Sequence, residues 1–166
     1  MLIIVCGLQG AGKSVVAAKI AEKTDAVLLR TDVIRKELIR HPTYGKEEIE
    51  SIYDEMFARA KRLLSENRTV ILDATFAEKQ NRHHAEKIAD DAGCPYEIVE
   101  VICPDEAIIR ERLKKRTEGE SEAHYEQYLL YKTLFEPITE KHIIIDNSGT
   151  LEETNKQIDK LLTANT

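Results

Sequence analysis

Gly7-Leu8-Gln9-Gly10-Ala11-Gly12-Lys13-Ser14 decides the fold. The stretch satisfies the pattern G-x-x-x-x-G-K-[ST] at every fixed position. Before it, Leu2 to Cys6 is a continuous apolar run of strand length; behind it, Val15 to Lys23 is rich in alanine and other helix formers. A buried strand, a glycine-rich turn and a helix, in that order, are the setting that gives the pattern its physical meaning. The glycines let the backbone fold tightly round a phosphate chain with its N–H groups turned inward. The helix that begins near Lys13 adds the positive end of its dipole. Lys13 supplies a mobile charge for the β- and γ-phosphates, and Ser14 a hydroxyl ligand for Mg2+. Gly7, Gln9, Gly10, Ala11, Gly12, Lys13, Ser14 and Val15 are therefore the candidate nucleotide-binding residues. The competing reading, a glycine-rich turn before an ordinary helix, is outweighed by the complete pattern and its flanks. The loop implies binding of a nucleoside triphosphate or a similar polyphosphate, and leaves the reaction open, because GTPases, ATPases and kinases share it.

Outward from this loop, strands and helices alternate. Ala26 to Arg30 reads as a strand, Asp32 to Ile39 as a helix, and His41 to Gly45 as a break. Lys46 to Glu66 carries apolar residues at three- and four-residue spacing and is predicted as a long amphipathic helix. Thr69 to Leu72 is a strand ending at Asp73, and Glu78 to Ala92 a helix with Gly93 at its C-terminal cap. Tyr96 to Ile102 is a strand. Helices are predicted from Pro104 to about Arg116 and from about Glu122, followed by a strand at His142 to Ile145 that ends at Asp146. Thr150 and Glu153 have capping-box spacing for a last helix. Such alternation implies crossover connections and a largely parallel sheet covered on both faces. The expectation is a three-layer α/β/α sandwich of about five strands, one domain over residues 1–166, with a short helical lid at about 110–128.

Three further landmarks carry chemistry. Asp32 follows the second strand, and ligands of open α/β sheets bind outside the carboxyl ends of the strands. A carboxylate there can take the proton of an attacking hydroxyl, although it can also simply cap its helix. Arg35 lies one turn later on the same helix face and is placed to clamp an acceptor. Val70-Ile71-Leu72-Asp73, an apolar strand ending in Asp, puts Asp73 near Mg2+. Arg110 to Arg116 is basic at five of seven positions, and Arg112 and Arg116 share a helix face. Arginines on a lid neutralise transferring phosphate and exclude water. Arg116 is the first candidate for that role and Arg112 the next.

The combination GLQGAGKS, LLRTDVIRKEL, VILDATF and CPDEAIIRERLKKR resembles the P-loop kinases that include the kinase domain of polynucleotide kinase and its small relatives. The resemblance covers roughly residues 1–140. It implies a nucleoside-kinase-like fold and ATP as the phosphate donor. It further implies Asp32 as the base for an acceptor hydroxyl, Arg35 as the holder of an acceptor phosphate, and Arg116 as the lid arginine. By the same resemblance the turn from Asn147 to Thr150, with Gly149, lies near adenine, and Thr75 and Arg82 face the acceptor. Two departures point away from a polynucleotide. Asp73-Ala74-Thr75 stands where Asp-Thr-Asn is frequent, and the lid tip carries Glu118, Glu120 and Glu122.

Composition bounds these expectations. The 166 residues include 24 Lys and Arg against 30 Asp and Glu, a net charge of −6. An acidic chain is a poor non-specific binder of polyanions. With no Trp and 5% aromatic residues, a broad base-stacking surface is excluded. Cys6, Cys94 and Cys103 lack metal-ligand spacing and read as reduced thiols, with Cys6 in the core. The apolar N-terminal stretch has strand length and no basic leader, so neither a signal peptide nor a membrane span is expected, and the cytoplasm is. His83-His84 has no third ligand nearby in sequence and reads as solvent-exposed; Tyr125, Tyr128 and Tyr131 read as helix packing. The predicted activity is γ-phosphoryl transfer from Mg2+·ATP to a hydroxyl of a small-molecule or nucleotide-like acceptor. The alternatives are a 5′-hydroxyl polynucleotide kinase and a nucleotide-dependent switch with slow ATPase.

Overall fold

Leu2–Cys6 (β1), Val27–Arg30 (β2), Val70–Asp73 (β3), Tyr96–Ile102 (β4) and Ile143–Asp146 (β5) form one sheet in the order β2-β3-β1-β4-β5, every pairing parallel. The structure, a computed structural model, describes residues 1–116 and 121–164, without the side chains of 116, 121–123 and 164. Helices are Lys13–Thr24 (α1), Thr31–Leu38 (α2), Lys46–Ser65 (α3), Lys79–Asp91 (α4), Glu106–Arg116 (α5), Ser121–Leu134 (α6) and Leu151–Ala164 (α7).

Strand parity separates the two halves of the core. Leu2, Ile4, Cys6, Val70 and Leu72 pack with Ile52, Met56, Phe57 and Ala60 of α3 and Ala85 and Ile88 of α4. Ile3, Val5, Ile71, Val99 and Val101 face the other way, onto Val16, Ala17 and Ile20 of α1, Ile109 and Leu113 of α5, and Ile158 of α7. β1 is buried along its whole length, as a central parallel strand must be. The three-layer arrangement is the expected one.

Helix ends follow the local chemistry. Thr150 and Glu153 form a reciprocal capping box: Thr150 N–H donates to Glu153 Oε2 at 2.7 Å, and Glu153 N–H to Thr150 Oγ1 at 3.2 Å. Gly93 takes φ +61 just past α4. Boundaries shift by a residue or two from the sequence reading: α1 begins at Lys13, α2 at Thr31, and β2 leaves out Ala26.

The C-terminal ends of β1, β2 and β3 converge where chemistry was expected. Parallel register sets Val5 against Asp73 and Arg30 against Asp73. Strands that end level place the groups just past them on one edge. No helix among the described residues is long and apolar enough to cross a membrane.

Candidate active site

Gly7 leaves β1 with φ +139, and a Cβ there would lie 2.2 Å from the Val101 carbonyl oxygen, so only glycine fits. Its N–H donates to Thr75 O at 3.2 Å, which ties the start of the loop to the end of β3. Gly12, with φ +90, is the N-cap of α1; its missing Cβ leaves room for the Asn147 amide, whose Nδ2 would be only 2.0 Å from one. No side chain caps α1 and no acid stands in its first turn. The helix therefore presents its positive end to the loop. Lys13 Nζ reaches back to Leu8 O at 3.1 Å. Gln9 Oε1 is buried without a hydrogen-bond partner. An uncapped helix start, a lysine folded over the loop and an orphaned polar atom beside it fit a polyphosphate. Val15 N–H is already bonded to Gly12 O at 3.1 Å and its side chain is exposed.

Next to the loop, one guanidinium gathers three oxygen-bearing side chains. Arg30 Nη2 donates to Ser14 Oγ and to Asp32 Oδ2, each at 3.0 Å, and Nε lies 3.3 Å from Asp73 Oδ2. Asp73 is 4% exposed. Burial pushes its carboxyl above the ordinary aspartate range, against the Lys13 charge, the Ser14 hydroxyl and the Arg30 charge. Asp32 is half-exposed at the start of α2, and its Oδ1 also accepts the Val33 N–H at 2.9 Å. Arg30, not Asp32, is the N-cap of α2 and no side chain caps it, so the Asp32 carboxylate is not committed to capping. Ser14 and Asp73 form an all-oxygen donor set of the kind that suits Mg2+. The sequence alone gives Arg30 no role. The signal that finds it is a basic residue ending an apolar strand, two positions before Asp32 and in register with Asp73.

Arg112 Nη1 donates to Gly10 O at 3.2 Å and Ala11 O at 3.3 Å, and Nη2 to Asn147 O at 2.6 Å, so the basic helix is braced on the phosphate loop itself. Asn147 Nδ2 donates to Ala11 O at 2.9 Å. Gly149 lies in the same turn, where a Cβ would approach Glu153 Oε2 to 2.3 Å. The Arg116 side chain and residues 117–120 lie outside the described residues, so the proposed lid tip falls there too. Arg110 stacks over the Tyr125 ring at 4.3 Å, and Tyr125 stacks on the buried Tyr128, which makes those tyrosines packing groups as expected.

On the acceptor side, Arg35 Nε is 2.9 Å from Glu48 Oε1 and its guanidinium covers the Tyr44 ring at 5.0 Å. Glu48 also accepts from Thr43 N–H, Thr43 Oγ1 and Tyr44 N–H. Those bonds, the Thr43 N–H foremost, hold its carboxyl below the ordinary glutamate range. Glu48 thus pins Arg35 and the 43–45 turn together, a contact invisible in sequence because it joins two elements across a break. Thr75 is half-buried at the end of β3 and meets the loop through its carbonyl.

Arg82 requires correction. It is fully buried, and its guanidinium donates to Phe76 O at 2.8 Å, Ala77 O at 3.4 Å and Pro137 O at 3.2 Å. A buried cation is retained only when such acceptors surround it, and these hold it in the core, so Arg82 is a structural clamp and not an acceptor contact. His83 is exposed as expected, but a third ligand type does lie nearby: the donor atoms of His83, Glu86 and Glu140 are within 4.8 Å of one another, with His83 Nε2 at 2.8 Å from Glu140 Oε1. Cys6 is inert core, its thiol pushed up to about 12 by burial.

A cleft of about 470 Å3 opens beside the loop, between Gly7, Leu8, Val101, Pro104, Tyr128 and Phe135.

This fold is shared with solved structures, two kinases and Kti12 among them. The chain superposes on APS kinase CysC of Mycobacterium tuberculosis, solved with AMPPNP and APS, with a TM-score of 0.73 at 16% identity, covering 98% of this chain and 95% of that one. For a gluconokinase of Sinorhizobium meliloti 1021 the values are 0.63, 21%, 98% and 93%. For Kti12 of Chaetomium thermophilum, solved with ADP-AlF3, they are 0.70, 18%, 99% and 98%. In sequence, uncharacterised proteins of Mycobacterium tuberculosis and Mycobacterium bovis are 30% identical over 135 residues, 74% of this chain. The chain spans about a quarter of their length, 27%. The AAA domain family matches residues 2–138, and the chain belongs to that family.

Proposed function

We propose that the protein is an ATP- and Mg2+-dependent kinase that moves the γ-phosphoryl group to a hydroxyl of a small-molecule or nucleotide-like acceptor. The observation that carries this reading is the meeting of Ser14, Asp73 and Asp32 on one guanidinium at the mouth of the phosphate loop. A metal-ligating hydroxyl, a buried carboxylate and an accessible carboxylate are the parts phosphoryl transfer needs, because its catalysis is mostly positioning and charge stabilisation.

The α1 N-terminus and Lys13 hold the phosphates. Ser14 and Asp73 would hold Mg2+, which would supply charge neutralisation for the transferring phosphate. Asp32, exposed on the acceptor side, accepts the hydroxyl proton. Arg112, with Arg116, brings positive charge from α5, and the Asn147 to Thr150 turn borders the nucleotide. Arg35 fixes the acceptor wall through Glu48 and is the group placed to meet an anionic acceptor.

One observation supports a small acceptor. Arg35 and Arg59 are each neutralised by glutamates, Glu48 for the first and Glu37 and Glu55 for the second, which suits a polynucleotide backbone poorly. Free thiols at Cys6, Cys94 and Cys103 fit a cytoplasmic setting.

The test is an acceptor screen with γ-labelled ATP across nucleosides, sugars, small acids and short 5′-hydroxyl oligonucleotides. Label on a small acceptor is expected. Label on oligonucleotides alone favours the polynucleotide reading. Slow hydrolysis with no labelled acceptor, and partner binding that differs between ATP and ADP forms, favours the switch.

A further inference from the structure

Arg30 is the last residue of β2 and the N-cap of α2, so its backbone is fixed by two elements at once. Its side chain is one-third exposed, whereas the Asp73 carboxylate it faces is buried. Nη2 donates to both Ser14 and Asp32, while the buried Nε lies 3.3 Å from Asp73 Oδ2 as an ion pair without a hydrogen bond. Ser14 and Asp73 are the oxygens that the proposed function gives to Mg2+, and Asp32 is its proton acceptor. A divalent cation binds such oxygens at about 2.0–2.1 Å. A guanidinium nitrogen 3.0 Å from the same Ser14 oxygen and the cation repel each other at that range. They cannot hold the cluster together.

We propose that Arg30 is a placeholder cation: its guanidinium and Mg2+ hold the Ser14, Asp73 and Asp32 cluster in alternation. Arg30 keeps the buried Asp73 charge compensated and the Ser14 rotamer set before metal arrives with nucleotide. On metal binding the guanidinium swings outward on its exposed side, and its contact with Asp32 Oδ2 is given up. The accessible carboxylate is thereby freed for an acceptor hydroxyl only when the phosphate donor is in place. This inference rests on the kinase reading for the assignment of Ser14 and Asp73 to the metal. It adds a positioning residue that sets metal affinity and couples it to the base.

The probe is Mn2+ alone, with free Mn2+ read by electron paramagnetic resonance, on wild type, Arg30→Met and Arg30→Lys. Removing the competing charge should tighten Mn2+ binding by about tenfold in Arg30→Met, with Arg30→Lys between the two. Asp73→Asn in the Arg30→Met background should abolish the gain. Unchanged or weaker Mn2+ binding in a folded Arg30→Met protein overturns the proposal and leaves Arg30 as a structural ion-pair partner. Should Arg30→Met fail to fold, the wild type supplies the readout. The Nε resonance of Arg30 in 15N-arginine-labelled protein should move on adding Mg2+ with AMPPNP and stay in place with AMPPNP and chelator. A resonance that responds equally to both contradicts the proposal. Wild type that binds no AMPPNP at all refutes the nucleotide reading instead, so the two failures are distinguishable.

Discussion

Replacing Asn147 by Asp changes one nitrogen to oxygen at the junction of β5 and the phosphate loop. Asn147 is 7% exposed. Its Nδ2 donates to Ala11 O at 2.9 Å, its Oδ1 accepts from Thr154 Oγ1 at 2.8 Å, and its own N–H donates to Ile102 O at 2.9 Å. Asn147→Asp keeps the shape and the Thr154 contact. It sets an anionic oxygen where a donor faced a carbonyl. One hydrogen bond is lost, worth about 1 kcal/mol, and a buried carboxylate beside a carbonyl adds about 2 kcal/mol after partial compensation by Arg112. The total of about 3 kcal/mol corresponds to a fall in Tm of about 6–12 °C for a domain of this size. Because the loop loses its brace, nucleotide affinity should drop by about tenfold as well. The assay is thermal unfolding by circular dichroism at pH 7 and at acid pH, with nucleotide binding by calorimetry. The deficit should shrink at acid pH, where the new carboxyl protonates and again donates to Ala11 O. A variant within 1 °C of wild type at neutral pH, a difference of roughly 0.5 kcal/mol or less, refutes the reasoning.

Arg82→Met strips donors from the carbonyls of the buried Phe76 and Ala77 and of the exposed Pro137, and should cost about 3 kcal/mol, read as a lower Tm; the fraction that remains folded should keep its acceptor KM, and a raised KM at unchanged stability would return Arg82 to the acceptor side. Glu140 is a test of pH dependence. Burial alone would raise its carboxyl, but bonds from its own backbone, His83 and the Thr139 N–H, with the Lys79 charge, outweigh burial and hold it at about 2. A depressed carboxyl contributes stability that is complete above its ordinary 4.5 and lost as pH falls toward 2. Glu140→Gln should therefore lower Tm at pH 7, with the gap to wild type closing across that acid window; a gap independent of pH contradicts the assignment.

The fold was legible because its signals are local. An apolar run, a glycine-rich loop and an alanine-rich helix lie within about two dozen residues, and the parity of Ile3 and Ile4 already divides the core into two faces. The positions of the phosphate loop, Asp32 and Asp73 at one sheet edge were legible for the same reason, each standing at or just past the end of a strand. What stayed hidden depends on distance in sequence. Arg30 acquires its role from register with Asp73, 43 residues on. Glu48 meets Arg35 across the break at Pro42. Asn147 reaches Ala11 over 136 residues. Arg82 misled because an arginine in a polar helix reads as exposed, whereas the carbonyls that bury it come from the ends of other segments. Glu140 reaches His83 from the segment before β5, and neither neighbour in sequence announces it.

The central claim is that this edge transfers phosphate with Asp32 as the proton acceptor. Asp32→Asn keeps the side chain's size and one acceptor oxygen for either the Arg30 guanidinium or the Val33 N–H, while removing the base. The decisive measurement compares this variant with wild type in two readouts: Mg2+·AMPPNP affinity, and transfer of label from γ-labelled ATP to the acceptor found in the screen. The account predicts affinity within about threefold of wild type and transfer reduced by at least about a hundredfold. Full transfer by Asp32→Asn, or loss of nucleotide binding in step with transfer, contradicts it.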